Sequence, residues 1–450
     1  MQEKQAKYGI LMTVAACLWL GLFPLLQGLT YAQITLDKWR IMIVLCAVTF
    51  VCFCADTFLR CRALRREGLR RSTVFSGVPR LPLILGSLLL LWTVLSCLLS
   101  PYGADVWWIG ASVRREGLAT QLCYLFLFFC FVLSRIRLKP VLFSAAPGVV
   151  LFCVVVILQR LGGNPLGLYP AGRSFSSNPE FQGTIGNIDM DTGYLCLLSG
   201  LFLHGGIRWF LSFRQDRSRS SLTAFICCSV GLAVSVFLIV TMEVQFGRIT
   251  LAVLAVISAV FLLPKKWRWP ALALLLVFAL VIVWFWPGTG GGIWELHEIL
   301  HGRSHLSFGS NRIAVWKYSL RLAPERLLTG GGSDTFVLRF NQYLHDTGYI
   351  IPERQGQTLL PHYFDNPHNE YIAQLMNHGL PAMLLLILLM VTSVMRRREA
   401  GIPVLTPYSA AVLCYAVQAF FSFPVCLVAP MFWSLLGMSF RSDENGHLKK

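Results

Sequence analysis

Apolar segments recur along the whole chain, and each is about as long as an α-helix must be to cross a bilayer, roughly 20 residues. Of the 450 residues, 55% are hydrophobic and only 14% are charged. A soluble fold normally coats its surface with charged side chains, and this chain has too few of them. No stretch is left over for a separate soluble domain. The sequence therefore predicts an all-α, polytopic membrane protein.

About twelve segments qualify as transmembrane helices. The first follows a short basic start but lacks an obvious small-residue cleavage site, so we expect a retained helix rather than a signal peptide. The segments are residues 8–30, 39–55, 81–100, 118–134, 141–159, 186–205, 222–242, 249–264, 270–286, 372–395, 405–423 and 425–440.

The basic residues predict an orientation. If the N-terminus is cytoplasmic, most of the 39 lysines and arginines fall in tails and short loops on the cytoplasmic side, as the positive-inside rule requires. Both termini are then cytoplasmic. This topology accounts for the net charge of +17, so we expect a lipid bilayer and no nucleic acid as a partner. The cytoplasmic set includes Lys4, Lys7, Arg60, Arg62, Arg65, Arg66, Arg70, Arg71, Arg135, Arg137, Arg396, Arg397, Arg398, Arg441, Lys449 and Lys450.

This topology divides the chain into four regions. N-terminal helices occupy residues 1–110, central helices 111–286, an extracytoplasmic loop 287–371, and C-terminal helices 372–450. The loop is long enough to need a functional reason. Within it, residues 313–322 predict an amphipathic helix with Ile313, Trp316 and Leu320 on one side, and the glycines at 330–332 predict a flexible turn.

Three ionisable residues lie at helix ends on the predicted outer face: Arg248, Arg312 and His368. Such residues are costly in a membrane protein and usually have a partner. Arginine binds phosphate with two parallel hydrogen bonds, and histidine can take a proton from a hydroxyl near neutral pH. The alternative is that the arginines reach to the membrane interface and the histidine caps a helix. Residue type alone favours that alternative.

Two stretches carry a family resemblance. Residues 367–379, which begin Pro-His-Asn-Glu-Tyr, resemble the His-Asn-x-Tyr-Leu signature and glycine of the O-antigen ligase and polysaccharide polymerase family of membrane glycosyltransferases. Residues 308–316 and 330–336 are similar to the arginine-to-tryptophan stretch and glycine turn of that family. Residues 110–117 and 186–195 match more weakly. The family usually has serine before its helix-opening arginine, and Gly247 stands there in this chain.

The resemblance implies transfer, or polymerisation, of a polyprenyl-diphosphate-linked glycan onto an acceptor hydroxyl, without a metal or another cofactor. The acceptor would be a lipid, a glycan or a protein, and the reaction would occur on the extracytoplasmic face of the cytoplasmic membrane. Arg248 and Arg312 would hold the diphosphate, and His368 would activate the hydroxyl. The sequence does not distinguish ligase from polymerase. The candidate substrate-binding residues are Arg114, Arg115, Glu116, Asp191, Asn369 and Glu370.

Several of these assignments have structural alternatives. The charged residues at 114–116 could form a local ion pair at a helix start, and an acid at Asp191 suits a helix dipole. Asp189 and Asp191 together could hold a metal beside a nucleotide sugar, but the predicted topology places them away from the cytoplasm.

Two other classes of protein remain open. His297-Glu298-x-x-His301 fits the zinc-peptidase pattern, with His305 and Glu325 as further ligands, although glycines on both sides leave only a short helix. A lipid-glycan transporter would require mid-helix charges and broken helices in paired halves. The predicted spans contain almost no such charges.

Overall fold

The structure, a computed structural model, describes residues 9–66, 75, 77–349, 364–395 and 405–441, and all regular structure within these ranges is helical. The first helix continues as a π-helix over Leu18–Leu22 and a 3-10 turn over Phe23–Leu25. In chain order the helices are α1 (Ile10–Cys17), α2 (Ile34–Arg66), α3 (Arg80–Leu98), α4 (Ala104–Trp107), α5 (Leu118–Leu133), α6 (Leu138–Arg160), α7 (Ile188–Asp216), α8 (Arg219–Met242), α9 (Gln245–Leu262), α10 (Lys265–Trp284), α11 (Gly291–Leu300), α12 (Arg312–Leu322), α13 (Phe336–Thr347), α14 (Glu370–Met395), α15 (Pro407–Gln418) and α16 (Ala429–Ser439).

Among the described residues, eight helices are long and apolar enough to cross a membrane, namely α2, α3, α6, α7, α8, α9, α10 and α14. The segments Ile10–Leu25 and α5 are apolar but shorter. Each predicted segment contains a helix, yet α15 and α16 have 12 and 11 residues, fewer than the roughly 20 that a straight span needs. The chain is a multi-pass membrane protein, and the count of twelve spans remains a prediction.

Two helices extend well beyond the predicted segments. α2 has 33 residues and α7 has 29. Both continue through basic residues such as Arg62 and Arg214, because arginine is a good helix former even where the chain leaves the lipid. Hydrophobicity therefore locates the part of a helix in lipid, and it does not locate the end of the helix.

α7 lies at the centre of the bundle and packs against α8 and α15. Gly200 permits the close contact with α15, because a Cβ there would lie 2.5 Å from the Ala410 carbonyl oxygen. Small residues at such crossings let backbones approach, which drives helix association in lipid. α5 packs against α16, and α3 packs against α14. The α3–α14 contact positions the loop described below.

One end of the bundle gathers residues that the sequence places in the cytoplasm. The Gly9 amide donates to Asp56 (2.9 Å), and Arg60 forms an ion pair with the same carboxylate (2.8 Å). Arg441 donates to the Ser134 carbonyl (3.2 Å). The predicted topology requires these residues to lie at the same end of the bundle, as they do. Which end faces the cytoplasm remains a prediction. Lys4, Lys7, Arg70, Arg71, Arg396, Arg397, Arg398, Lys449 and Lys450 lie outside the described residues.

The amphipathic helix of the predicted loop is present as α12, but its buried face differs from the predicted one. Val315, Tyr318 and Leu322 are buried, whereas Leu320 is 53% exposed. The face is set by what covers it: α13 and the first turns of α14 pack against the Val315 and Tyr318 side. The positions of the largest apolar side chains therefore did not identify the buried face of α12.

The predicted flexible turn at the three glycines is wrong. The amide of Gly331 donates to the Met376 carbonyl (3.0 Å) and that of Gly332 to the Asn377 carbonyl (2.7 Å). These carbonyls are available because α14 is broken at Gly379, where φ is 81° and ψ is 175°, and because Pro381 has no N–H. The glycines therefore form a fixed turn against a discontinuous helix.

Neighbouring side chains complete the hydrogen bonding of this irregular segment. The Leu380 amide donates to the Leu327 carbonyl (2.8 Å). From α3, the Ser96 hydroxyl donates to the Thr329 carbonyl (2.5 Å) and the Trp92 indole to the Leu328 carbonyl (3.2 Å). Non-helical backbone is tolerated within a membrane protein only where protein groups satisfy it. Residues 327–332 meet that condition.

We expect Gly379→Ala to lower the free energy of unfolding by about 3 kcal/mol or more, because the new Cβ would collide with the Leu328 carbonyl. Gly162 is a matched control. Its φ is +91°, but no atom lies within 4 Å of a Cβ there, so Gly162→Ala should cost only about 1 kcal/mol of backbone strain. Thermal unfolding in detergent measures the stability of both variants. Equal losses of stability would contradict the role of the break in α14.

Candidate active site

The first turns of α7, α12 and α14 meet at the other end of the bundle. Asn187 caps α7 by accepting from the amide of Asp189 (2.9 Å). Arg312 opens α12, and its guanidinium lies 3.9 Å from the Asp189 carboxylate. His368 lies two residues before α14. Helix N-termini favour negative charge, so three of them near one arginine suit an anion.

A constrained loop holds Arg312 in place. Gly309, Ser310 and Asn311 are consecutive residues with positive φ (62°, 56° and 70°), a conformation that costs free energy for the two that are not glycine. Glu295 of α11 fixes this loop by accepting from the Gly309 amide (2.9 Å). The Arg312 Nε is buried and has no hydrogen-bond partner among the described residues. Arg60 Nε, at the opposite end of the bundle, is likewise buried without a partner among the described residues, so the case for Arg312 rests on its position beside Asp189 and not on this atom alone.

His368 also has an unusual backbone, with φ of 47°. Its amide donates to the Asn366 side chain (2.9 Å), and its ring meets Phe423 edge to face with the ring centres 5.1 Å apart. Burial and the positive charges of Arg312 and Arg114 lower the pKa of His368 to about 4. The imidazole is therefore neutral near pH 7 and able to accept a proton.

Arg114 joins the same cluster from the loop before α5. Its Nε donates to the Asp365 carboxylate (2.7 Å), and its guanidinium lies 4.2 Å from the centre of the Phe423 ring. Phe423 thus contacts both Arg114 and His368. Arg114 pairs with a residue far along the chain, so the predicted alternative of a local ion pair is not what the structure shows.

The two residues after Arg114 make different contacts. The Arg115 guanidinium lies 5.5 Å from the centre of the Trp39 ring. Glu116 is buried and accepts from the Tyr124 hydroxyl (2.8 Å), and burial raises the pKa of this carboxyl well above its usual range. These contacts favour a structural role for Arg115. Glu116 lines the same small cavity as Arg114, so it stays a candidate for contact with a substrate.

Three further candidate residues also have structural surroundings: Asn369, Glu370 and Asp191. Asn369 accepts from the Ile372 amide (3.0 Å) and so caps α14, while buried Glu370 accepts from the Tyr415 hydroxyl (2.7 Å). Asp191 is fully buried, within electrostatic reach of Lys38 and Arg160. Asn369 and Glu370 therefore orient the start of α14, on which the position of His368 depends.

Arg248 lies at the same end of the bundle, but the structure gives it a different partner. Its side chain is exposed and donates to the Val240 carbonyl (3.1 Å). No contact with Arg312 or His368 is found among the described residues. The preceding Gly247 packs against α7, where a Cβ would lie 2.5 Å from the Thr192 methyl group, which explains why this chain has no serine there. A role for Arg248 in binding diphosphate remains a prediction.

Sequence reasoning missed three residues of the site: Asp365, Asp334 and Phe423. Asp334 accepts from both the amide and the hydroxyl of Ser112 (2.9 Å each), and burial raises its pKa to about 6. This contact joins two of the stretches that carry the family resemblance. The partners are 222 residues apart, so only an analysis of co-varying positions could have found them. The three residues line a cavity of about 30 Å³ together with Arg114.

The zinc-peptidase pattern is arranged differently from a metal site. Arg303 holds Glu298 with two hydrogen bonds (2.8 and 2.7 Å), and His297 Nδ1 is 2.9 Å from the Val283 carbonyl. Within the ranges that the structure describes, no group of three or more His, Cys, Asp or Glu residues is placed to hold a metal ion. His301 lies just past the end of α11. The geometry does not favour the peptidase.

Comparison with known proteins bears on the cluster of Arg312 and His368. Residues 230–387 match the family model described as O-antigen ligase. The matched stretch runs from within α8 to within α14 and includes Arg248, Arg312 and His368. A search of curated proteins found no match. The family indicates an O-antigen ligase-like membrane glycosyltransferase involved in polysaccharide biosynthesis. Residues 230–387 of this chain are therefore similar to the O-antigen ligase family, which confirms the resemblance noted in the sequence.

Proposed function

We propose that the protein transfers or polymerises a polyprenyl-diphosphate-linked glycan onto an acceptor hydroxyl at the extracytoplasmic face of the cytoplasmic membrane. The observation that supports this most directly is that Arg114 and His368 both contact the ring of Phe423 and that Arg312 lies within electrostatic reach of His368. Two guanidinium groups suit a diphosphate, and an adjacent neutral histidine suits a hydroxyl that must lose its proton.

The arginines would bind the diphosphate by exchanging partners. Arg312 now faces Asp189 at 3.9 Å, and Arg114 faces Asp365 at 2.7 Å. Pairing with these carboxylates offsets the desolvation cost of keeping both guanidinium groups half-buried before the donor binds. A diphosphate offers more acceptor oxygens and more negative charge than one carboxylate, so it would compete for the guanidinium groups. We assign Asp189 and Asp365 the role of counter-ions.

In the proposed reaction the acceptor oxygen attacks the anomeric carbon of the first donor sugar. A new carbon–oxygen bond forms, and the bond between that carbon and the phosphate oxygen breaks. The electron pair leaves with the polyprenyl diphosphate, whose growing negative charge Arg312 and Arg114 stabilise. His368 takes the proton of the acceptor hydroxyl. The guanidinium groups supply the positive charge, so the proposed reaction uses no metal ion or other cofactor.

The proposed membrane placement rests on charge. Residues at the opposite end of the bundle, among them Arg60, Arg137 and Arg441, belong to the predicted cytoplasmic loops and tail. The candidate site lies at the other end, which we place outside the cytoplasm, with both termini inside. Residues 287–371 then form an extracytoplasmic loop. The acceptor can be a lipid, a glycan or a protein, and the structure favours none of these.

We expect Arg312→Ala to reduce glycan transfer by about 100-fold or more, because charge stabilisation of the leaving group is lost. His368→Ala should reduce it by about 100- to 10,000-fold through loss of the base. Transfer is measured in membranes with the native lipid-linked glycan as donor, and protein levels are checked by immunoblot. The exposed Arg321 of α12 and His345 of α13 provide matched alanine controls. Full activity of both site variants would reject the assignment.

The glycans that build up in cells carrying Arg312→Ala would distinguish the two activities. A ligase defect leaves long chains on their lipid carrier, because chain growth continues without transfer to the final acceptor. A polymerase defect leaves single repeat units. The lipid-linked glycans can be sized after extraction.

The pH dependence of transfer should respond to Arg114. Only neutral His368 can accept the proton, so kcat/KM should fall as the pH drops through the pKa of His368, which is about 4 in the free protein. Arg114→Gln removes a positive charge that lowers this pKa, so the pKa should rise and activity should be lost at a higher pH. Because both proteins act on the same donor, titration of the donor cancels in the comparison. An acid limb that does not move would contradict His368 as the base.

Glu298→Gln tests the peptidase alternative. Arg303 already holds this carboxylate, and Glu298 has no part in the proposed reaction, so transfer should stay within about twofold of the unaltered protein. A chelator should also leave transfer unchanged. Loss of activity in the variant together with inhibition by the chelator would instead favour a zinc peptidase.

A further inference from the structure

We infer that an aromatic groove beside the candidate active site binds the donor sugars that lie next to the diphosphate. The groove has a volume of about 290 Å³ and is lined by Tyr31, Tyr169, Pro170, Arg173, Asn178 and Phe181. It lies between the start of α2 and the segment that joins α6 to α7. This inference rests on the proposed function and adds a subsite for the glycan.

The aromatic wall of the groove is held rigidly. The Tyr31 hydroxyl donates to the Gly183 carbonyl (2.8 Å), and the Tyr169 hydroxyl donates to the Phe181 carbonyl (2.6 Å). The rings of Tyr31 and Tyr169 meet edge to face with centres 5.0 Å apart, and Phe181 follows at 5.9 Å from Tyr31. Tyr31 and Tyr169 are only 7% and 4% exposed and support the groove from behind, so Phe181, which is 37% exposed, presents most of the ring surface to a ligand.

Polar groups lie on the rim of the same groove. Arg173 is exposed, and no ion-pair partner for it is found in the described part of the chain. Asn178 is half-buried and carries an amide with both donor and acceptor capacity. A pyranose ring has an apolar face of C–H groups bordered by hydroxyls, so it matches a wall of aromatic rings with hydrogen-bonding side chains at its edge. A polyprenyl tail has no groups for Arg173 or Asn178 to bind.

Several contacts connect the groove with the diphosphate side of the active site. A Cβ at Gly186 would lie 3.2 Å from the Tyr31 ring, so the entry to α7 packs directly on the wall. The Glu180 carbonyl, next to Phe181, accepts from the Ile188 amide (2.9 Å). The next residue, Asp189, is the partner of Arg312. His368, which faces the acceptor in the proposed reaction, is held instead by Asn366 and Phe423. The groove therefore lies on the donor side.

Phe181→Leu and Arg173→Ala test the subsite, because Phe181 is 37% exposed and Arg173 is exposed, so neither change should disturb folding. Phe237→Leu on the exposed side of α8 and Arg80→Ala at the start of α3 are matched controls. Two probes are compared in nanodiscs: the native lipid-linked glycan and polyprenyl diphosphate without sugar. Each groove variant should bind the glycan-bearing probe about three- to tenfold more weakly, bind the sugar-free probe normally, and raise KM for the donor with little change in kcat.

Other outcomes overturn the inference. If wild-type protein transfers glycan while both groove variants keep the normal KM for the donor, the groove inference is wrong and the proposed function stands. If the variants weaken both probes equally, or change KM for the acceptor instead, the groove does not bind donor sugars. If wild-type protein neither binds the lipid-linked glycan nor transfers it, the proposed function fails as well.

Discussion

The arrangement of the candidate site depends on a hydrogen-bond exchange between a broken helix and an irregular segment. α14 cannot continue through Gly379 and Pro381, so the carbonyls of Met376 and Asn377 accept from Gly331 and Gly332 instead. In a bilayer these groups would have no water to bind, and each unpaired one would cost about several kcal/mol. The exchange therefore fixes the distance between the loop and the span. The positions of Asp334 and His368, which lie on either side of this junction, are therefore fixed as well.

Charge balance is the second constraint on the site. Arg114 and Arg312 are half-buried cations at a membrane protein's surface, and Asp365 and Asp189 keep each of them paired. The aromatic ring of Phe423 adds a favourable contact with Arg114. Burial lowers the pKa of His368, and the same two cations lower it further, so the residues proposed to bind the substrate help to keep the proposed base neutral. In the proposed reaction, binding of the diphosphate and proton transfer would therefore be coupled electrostatically.

The sequence allowed the helical membrane fold to be predicted, and it indicated Arg312 and His368, whose roles remain predictions. Apolar runs determine which parts of the chain must be helical in lipid, and the motifs around Arg312 and His368 indicated the site. The counter-ions Asp189 and Asp365 could not be predicted as partners, because their pairing depends on tertiary contacts that no local pattern encodes. The three glycines look flexible in sequence, yet their conformational freedom is what lets them fit against α14. Likewise, the buried face of α12 depends on its packing against α13 and α14, and the periodicity of the α12 sequence carries no information about those contacts.

The anchored glycine turn limits how substrates can reach the site. A swinging movement of residues 327–332 away from the bundle would break backbone hydrogen bonds to Met376, Asn377 and Leu380 together, and would expose a gap in a membrane-spanning helix. This part of the large loop therefore cannot serve as a hinged cover. The lipid carrier of the proposed donor would instead enter sideways, between helices at headgroup depth, and its glycan would occupy space beside the start of α7. Entry of the proposed donor would then depend on gaps between the helices, while residues 327–332 form a fixed frame.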